Sequence, residues 1–313
     1  MTPDQLGRIM EAIRSRCDVD RKCEITIEAN PGTADHEKLR AYRALGVNRL
    51  SIGTQSFVPE ELRLLGRIHT AGETREVFRA AREAGFENIS LDLMSALPGQ
   101  TVESWMFNLE QAVRLSPEHL SCYSLIIEEG TPLERMFARK ELPPLPSEED
   151  DRAMYHLTRE FLSKYGFDRY EISNYARAGF ESRHNLGYWT GRPYLGLGLG
   201  ASSYLGGKRF HDPENMEAYE EAVRTNCVGL REDVQELSDT DRMSEFMFLG
   251  LRLTKGVSEE EFAARFGKTM QEVYRETIRR QIGQGLLERS DGRVYLTEYG
   301  LDVANYVMAD YLL

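Results

Sequence analysis

Four short segments alternate polar and apolar residues strictly, and helical patterns separate most of them. The polar positions are Glu24-Thr26-Glu28, Arg49-Ser51-Gly53-Gln55, Ser90-Asp92 and Ser121-Tyr123. Between them stand Ile25-Ile27, Leu50-Ile52, Ile89-Leu91-Leu93 and Leu120-Cys122. A period of two predicts strands. A parallel sheet covered by helices is normally apolar on both faces, and a filled (β/α) barrel packs branched aliphatic side chains inside. Here one face is apolar and the other offers carboxylates, amides and hydroxyls, which predicts a wet, ligand-holding inner face. An antiparallel sheet with one face in solvent would share the alternation, but it does not suit strands that helices separate.

The remaining pattern extends this frame. Thr2-Pro3-Asp4 caps a helix running to about Arg16. Strands at 23–28, 48–53, 88–93 and 119–126 alternate with helices, two of which close at Gly46 and Gly85. This order predicts an α/β fold with a parallel sheet and right-handed crossovers. A Pro-rich acidic connector at 139–151 leads to a helix at 149–165 and a strand at 168–173. From about 237 the pattern becomes three helices, an apolar hairpin at 286–296 and a last helix, the order of a winged helix. The expected division is a barrel-like region at 1–206, a connector at 207–236 and a winged-helix-like domain at 237–313.

Composition narrows the function. A formal charge of −12 argues against binding a phosphate backbone. The C-terminal stretch from 238 carries ten Lys and Arg against thirteen Asp and Glu, so its winged helix is expected to pack or dock rather than read nucleic acid. No apolar run reaches the roughly 18 residues a membrane span needs. Cys17, Cys23, Cys122 and Cys227 form neither a disulfide framework nor a CxxC motif, and a cytoplasmic location is expected.

In strand-helix barrels the chemistry gathers at the C-terminal strand ends. Glu28, Asn30, Gln55, Asp92, Glu128 and Glu129 stand there, a rim suited to a polar small molecule. Asp92 is the strongest candidate, because a carboxylate inside a strand is costly unless used; the alternative is a buried ion pair with a residue such as Arg49. A second constellation is Arg183-His184-Asn185-Leu186-Gly187-Tyr188-Trp189. Imidazole is the usual axial ligand of heme iron, and two nearby aromatic rings can stack on a flat ligand. A half-buried surface histidine is the competing reading. Gly196, Gly198 and Gly200 lack the strand-turn-helix context of a nucleotide fingerprint, and a strand whose backbone closely approaches a ligand suits them better.

The strings Glu28-Ala29-Asn30-Pro31, Ser51-Ile52-Gly53-Thr54-Gln55-Ser56-Phe57, Leu65-Gly66-Arg67-Ile68-His69, Leu91-Asp92-Leu93-Met94, Leu97-Pro98-Gly99-Gln100-Thr101, Tyr170-Glu171-Ile172-Ser173-Asn174-Tyr175-Ala176 and His184-Asn185-x-x-Tyr188-Trp189 resemble the HemW heme chaperones. These lie in the oxygen-independent coproporphyrinogen-III-oxidase-like branch of the radical SAM superfamily. The resemblance covers almost the whole chain. It implies an open, partial radical SAM barrel of the TIM type, followed by a winged-helix-like domain. It places Glu28, Gln55, Arg67 and Asp92 around S-adenosylmethionine. It places heme on His184, Asn185, Tyr188 and Trp189, with His184 as the candidate iron ligand; Arg183 and Arg192 flank the motif. A respiratory membrane protein would receive the heme, which allows a peripheral position at the inner face of the membrane, and a homodimer is left open.

The departure from the family pattern is large. A three-cysteine loop for a 4Fe-4S cluster and a Gly-Gly-Gly-Thr-Pro loop are expected, and residues 1–313 contain neither. Cys17 and Cys23 cannot replace three clustered thiolates. The expectation is therefore a chain that does no radical chemistry as written, with a misplaced start codon as the simplest cause. A heme-binding, heme-delivering chaperone is expected first. A radical SAM oxidoreductase acting on coproporphyrinogen III is the alternative, and a scaffold holding neither ligand the third reading.

Overall fold

The computed structural model describes residues 1–313 except 226 and 228. The chain divides into two compact units, Met1–Ser182 and Arg183–Leu313. This boundary lies upstream of the 206/207 division expected from sequence.

The first unit runs α1 (Pro3–Arg14), β1 (Thr26–Ala29), α2 (His36–Ala44), β2 (Arg49–Gln55), α3 (Pro59–Leu64), α4 (Ala71–Glu83), β3 (Ile89–Ser95), α5 (Val102–Arg114), β4 (His119–Ser124), α6 (Pro132–Ala138), α7 (Glu148–Ser163), β5 (Asp168–Glu171) and β6 (Asn174–Ala176). Side chains set the helix starts. Thr2 with Gln5, and Thr70 with Glu73, close reciprocal capping boxes, while Asp35, Thr101, Thr131 and Ser147 each accept a first-turn amide. The helix α6, which sequence reading did not anticipate, starts on the Thr131-Pro132 pair.

The sheet order is β1-β2-β3-β4-β6-β5. The first three pairings are parallel, and the register sets Glu28 beside Ser51, Ser51 beside Ser90, and Asp92 beside Ser121. The polar positions therefore share one face. The other face supplies Leu50, Ile52, Leu91 and Leu120 to a core shared with Leu39 and Trp105 from the covering helices. Burial of each such side chain stabilises the fold by roughly 1.5–3 kcal/mol. Trp105 satisfies its indole N–H on Thr158 Oγ1 at 2.8 Å.

The sheet stays open, with β1 and β5 as its edges. Where sequence reading expected one strand over 168–173, the chain reverses. The Glu171 carboxylate accepts from the Ser173 amide at 3.0 Å and from the Asn174 side chain, and β6 returns antiparallel to both β4 and β5. A carboxylate-closed turn needs only two residues, so it leaves no gap in the hydrophobic pattern.

The second unit begins with α8 (Arg183–Trp189), β7 (Ser202–Leu205), β8 (Lys208–His211), α9 (Met216–Arg224) and β9 (Glu232–Glu236). The strands β7, β8 and β9 form an antiparallel sheet, so the 207–236 stretch is itself structured, with 226 and 228 outside the described residues. Then follow α10 (Asp239–Gly250), β10 (Val257–Ser258), α11 (Glu259–Phe266), α12 (Met270–Gly283), β11 (Leu287–Ser290), β12 (Arg293–Leu296), α13 (Glu298–Asp302) and α14 (Ala304–Ala309). Its sheet order β10-β12-β11, with three preceding or interleaved helices, is a winged helix as expected. Among the described residues no helix is long and apolar enough to cross a membrane.

Candidate functional site

The polar face of the first unit centres on Asp92. Its carboxylate accepts from Ser51 Oγ at 3.1 and 3.2 Å, with Ser90 Oγ at 3.5 Å and Ser121 also bonded to it. Burial holds the Asp92 pKa above the usual carboxylate range, against the pull of those hydroxyls and of Arg49; the Glu28 charge pushes it further up. Hydroxyls, with Arg49 as a weaker influence, replace the ion pair that was the alternative reading of Asp92. His119 is fully buried between Ser90 Oγ and the Tyr170 hydroxyl, each at 2.8 Å. Burial, and then the nearby Arg49 charge, hold its pKa well below the ordinary value, so it is neutral at neutral pH.

This face leaves polar atoms over. Thr26 Oγ1 and Arg49 Nε are buried and have no hydrogen-bond partner among the described residues. Buried polar atoms are normally satisfied, so an inner face with orphans of this kind fits a polar ligand or ordered water.

Gln55 ends β2 at a bulge with φ of 61°, an uncommon left-handed conformation for a side chain of its size. There its Oε1 accepts from the Tyr123 hydroxyl at 3.0 Å. A Cβ added at Gly53 would stand 3.0 Å from Asn30 Oδ1 and 3.3 Å from Gln55 Nε2, so glycine lets those two amides converge over the strand. Arg67, half-buried on the loop between α3 and α4, is close enough to act electrostatically on the Tyr123 phenol. Glu28 is exposed on β1, and its charge reaches Asp92. Of the four residues that the resemblance placed around S-adenosylmethionine, Gln55 and Arg67 thus meet at Tyr123, and Glu28 and Asp92 interact by charge. Sequence reading had placed Tyr123 on the right face without singling it out.

A buried carboxylate fixes this segment. Glu61 of α3 accepts from Ser56 Oγ, from Ser104 Oγ and, at 2.9 Å, from Asn108 Nδ2. Asn108 Oδ1 in turn takes the Phe57 amide. His69 contacts the Thr54 carbonyl at 3.2 Å from the other end. Gln55 and Arg67 therefore lie in a segment bonded to α5 and closed on itself.

In the second unit, α8 presents His184 and Tyr188 four residues apart on one face. Their rings meet edge to face at 4.7 Å, and Tyr188 meets Tyr194 in the same way at 4.8 Å. His184 is exposed and Asn185 half-buried. Trp189 has a different neighbour: the Arg252 guanidinium lies 4.3 Å from its ring centroid, and its buried Nε1 has no partner among the described residues.

The profile of the Radical SAM superfamily matches residues 1–111, and that of the HemN C-terminal domain matches 237–303. Over all 313 residues the chain is 37% identical to the heme chaperone HemW of Bacillus subtilis (strain 168), covering 82% of that protein. The heme chaperone HemW of Escherichia coli (strain K12) is 33% identical over 93% of this chain and 75% of its own. The chain belongs to the HemW family. Among solved structures, coproporphyrinogen III oxidase (HemN) of Escherichia coli, a radical SAM enzyme, superposes with a TM-score of 0.83 over the whole chain and 75% of its own length. At 22% identity that likeness speaks for the fold alone.

Membership of the HemW family, within the radical SAM superfamily, implies S-adenosylmethionine and a 4Fe-4S cluster. The polar face fits the first, through its orphaned atoms and mixed donors and acceptors. The thiols present here do not fit the second. Cys17 and Cys227 are exposed, Cys23 is half-buried, and Cys122 is buried on the apolar face, where burial drives its pKa up. Among the described residues no three His, Cys, Asp or Glu side chains converge as a metal site.

Proposed function

We propose that the chain is a heme chaperone, binding heme and handing it to a respiratory membrane protein. The observation that carries this reading is the exposed His184 imidazole on α8, set edge to face against Tyr188 in a chain of the HemW family. An imidazole on an exposed helix face is suited to ligate iron. Tyr188 limits its ring to few orientations, and Asn185 is the neighbouring polar group. Trp189 supports the helix by packing under Arg252, so in this reading it shapes the site rather than stacking on the cargo.

Glu28, Gln55, Arg67 and Asp92 would hold S-adenosylmethionine. Carboxylates at 28 and 92 suit ribose hydroxyls and an ammonium group, and Arg67 suits a carboxylate. S-adenosylmethionine supplies, in radical SAM proteins, the bond that a cluster cleaves reductively. Here the residues only bind and orient it. A porphyrinogen contains no iron and gives His184 nothing to ligate, so the oxidase reading stays behind. The free cysteines are consistent with a cytoplasmic protein, and delivery to a membrane acceptor favours residence at its inner face, alone or as a homodimer.

The test is transfer. Heme-loaded protein is mixed with a heme-free b-type membrane protein, and the acceptor's spectrum is followed. Gain of acceptor heme with matching loss from the donor is expected; heme that never leaves the donor would contradict a delivery role.

A further inference from the structure

Beside α8 runs the segment Leu195-Gly196-Leu197-Gly198-Leu199-Gly200. Its leucines are 55%, 69% and 46% exposed. The glycine amides are anchored instead: Gly196 N donates to Ser203 Oγ at 3.0 Å, Gly198 N to the buried Asp212 Oδ2 at 3.2 Å, and Gly200 N to the Pro213 carbonyl at 3.0 Å. A Cβ at Gly196 would collide with the Ser202 carbonyl, and Gly198 and Gly200 hold positive φ. Gly196 therefore serves the chain's own close packing, and Gly198 and Gly200 its left-handed turns. With its amides fixed, the segment cannot roll over to bury its leucines. Three exposed leucines within one short segment held in this way mark a contact surface.

Position and chemistry say what covers it. The row starts at Tyr194, whose ring meets Tyr188, whose ring meets His184. Just ahead stands the exposed Arg192, a cation suited to a carboxylate. An iron ligand, an apolar row and a guanidinium in one short stretch match a flat apolar ring carrying a metal and acidic side chains. From Leu195 to Leu199 the row spans at most roughly 13 Å, comparable with the width of a tetrapyrrole.

We propose that Leu195, Leu197 and Leu199 form the apolar surface that takes the tetrapyrrole ring of the cargo, which rests on the heme-chaperone reading above. The test combines Leu195→Ser, Leu197→Ser and Leu199→Ser in the full chain, titrated with ferric heme and with iron-free protoporphyrin IX. The iron-free ring reports the apolar contact apart from axial ligation. Both dissociation constants should rise by about tenfold or more, with the thermal unfolding midpoint unchanged because the leucines are exposed. Unchanged affinity for both ligands in the triple variant would overturn the inference. If His184→Ala still loses heme in that case, the chaperone reading survives alone. If the wild-type chain binds neither ligand, both fall. If the triple variant keeps porphyrin but loses binding to phosphatidylethanolamine–phosphatidylglycerol vesicles, the row is a membrane contact and the inference is overturned.

Discussion

At Asp92 the proposed ligand role and stability oppose one another. Its pKa is raised by burial, so the ionised form, the one that can pair with a cationic ligand group, is the form the fold disfavours. A group whose folded pKa lies above its unfolded value adds stability at low pH and loses it as pH rises through the folded pKa. At neutral pH the charge therefore costs stability. Asp92→Asn is expected to raise the thermal midpoint at pH 7, by a margin that shrinks as pH falls toward about 4, while weakening S-adenosylmethionine binding. A lower midpoint at pH 7 would show that the Ser51 and Ser121 hydrogen bonds outweigh burial. At this scale the sequence was readable as far as parity goes: period two put Glu28, Ser51, Asp92 and Tyr123 on one face. It could not show the left-handed backbone at Gln55, which a bulge against β3 imposes, nor that Trp189 packs under Arg252, sixty-three positions downstream.

The segment from the end of β2 to the start of α4 is the element that matters most for the polar site. It carries Gln55 and Arg67, and Glu61 fastens it to α5 through Ser104 and Asn108. Glu61→Ala would remove the buried acceptor that Ser56 Oγ, Ser104 Oγ and Asn108 Nδ2 share. That change should destabilise the protein by about 2–4 kcal/mol in urea unfolding and weaken S-adenosylmethionine binding as well. A stability loss with unchanged binding would mean the rim is positioned without this anchor. Helix boundaries here were legible, because Thr70, Glu73 and the glycines punctuate the chain. The β5–β6 reversal was not, since Glu171 closes it through its side chain and the hydrophobic pattern continues unbroken. The anchoring of the 195–200 ribbon was hidden for a similar reason. Its glycines answer to Ser202 and Asp212, which pair with them only after folding.

For the whole molecule, the strand alternation and the winged-helix order were enough to reach the architecture, and the motif strings reached the family. In the proposed function each of the two units would bring one ligand chemistry: a polar sheet face in the first, and an imidazole, ring and leucine surface in the second. The proposed heme site uses no cluster ligand, so cargo binding can be tested apart from radical chemistry. The measurement that tests this most directly is a heme titration of the purified chain, following the Soret band, with His184→Ala alongside. A sharp, saturable, ligated spectrum that His184→Ala loses is the predicted result. Equal weak spectra for the two proteins would contradict it and remove His184 from the site.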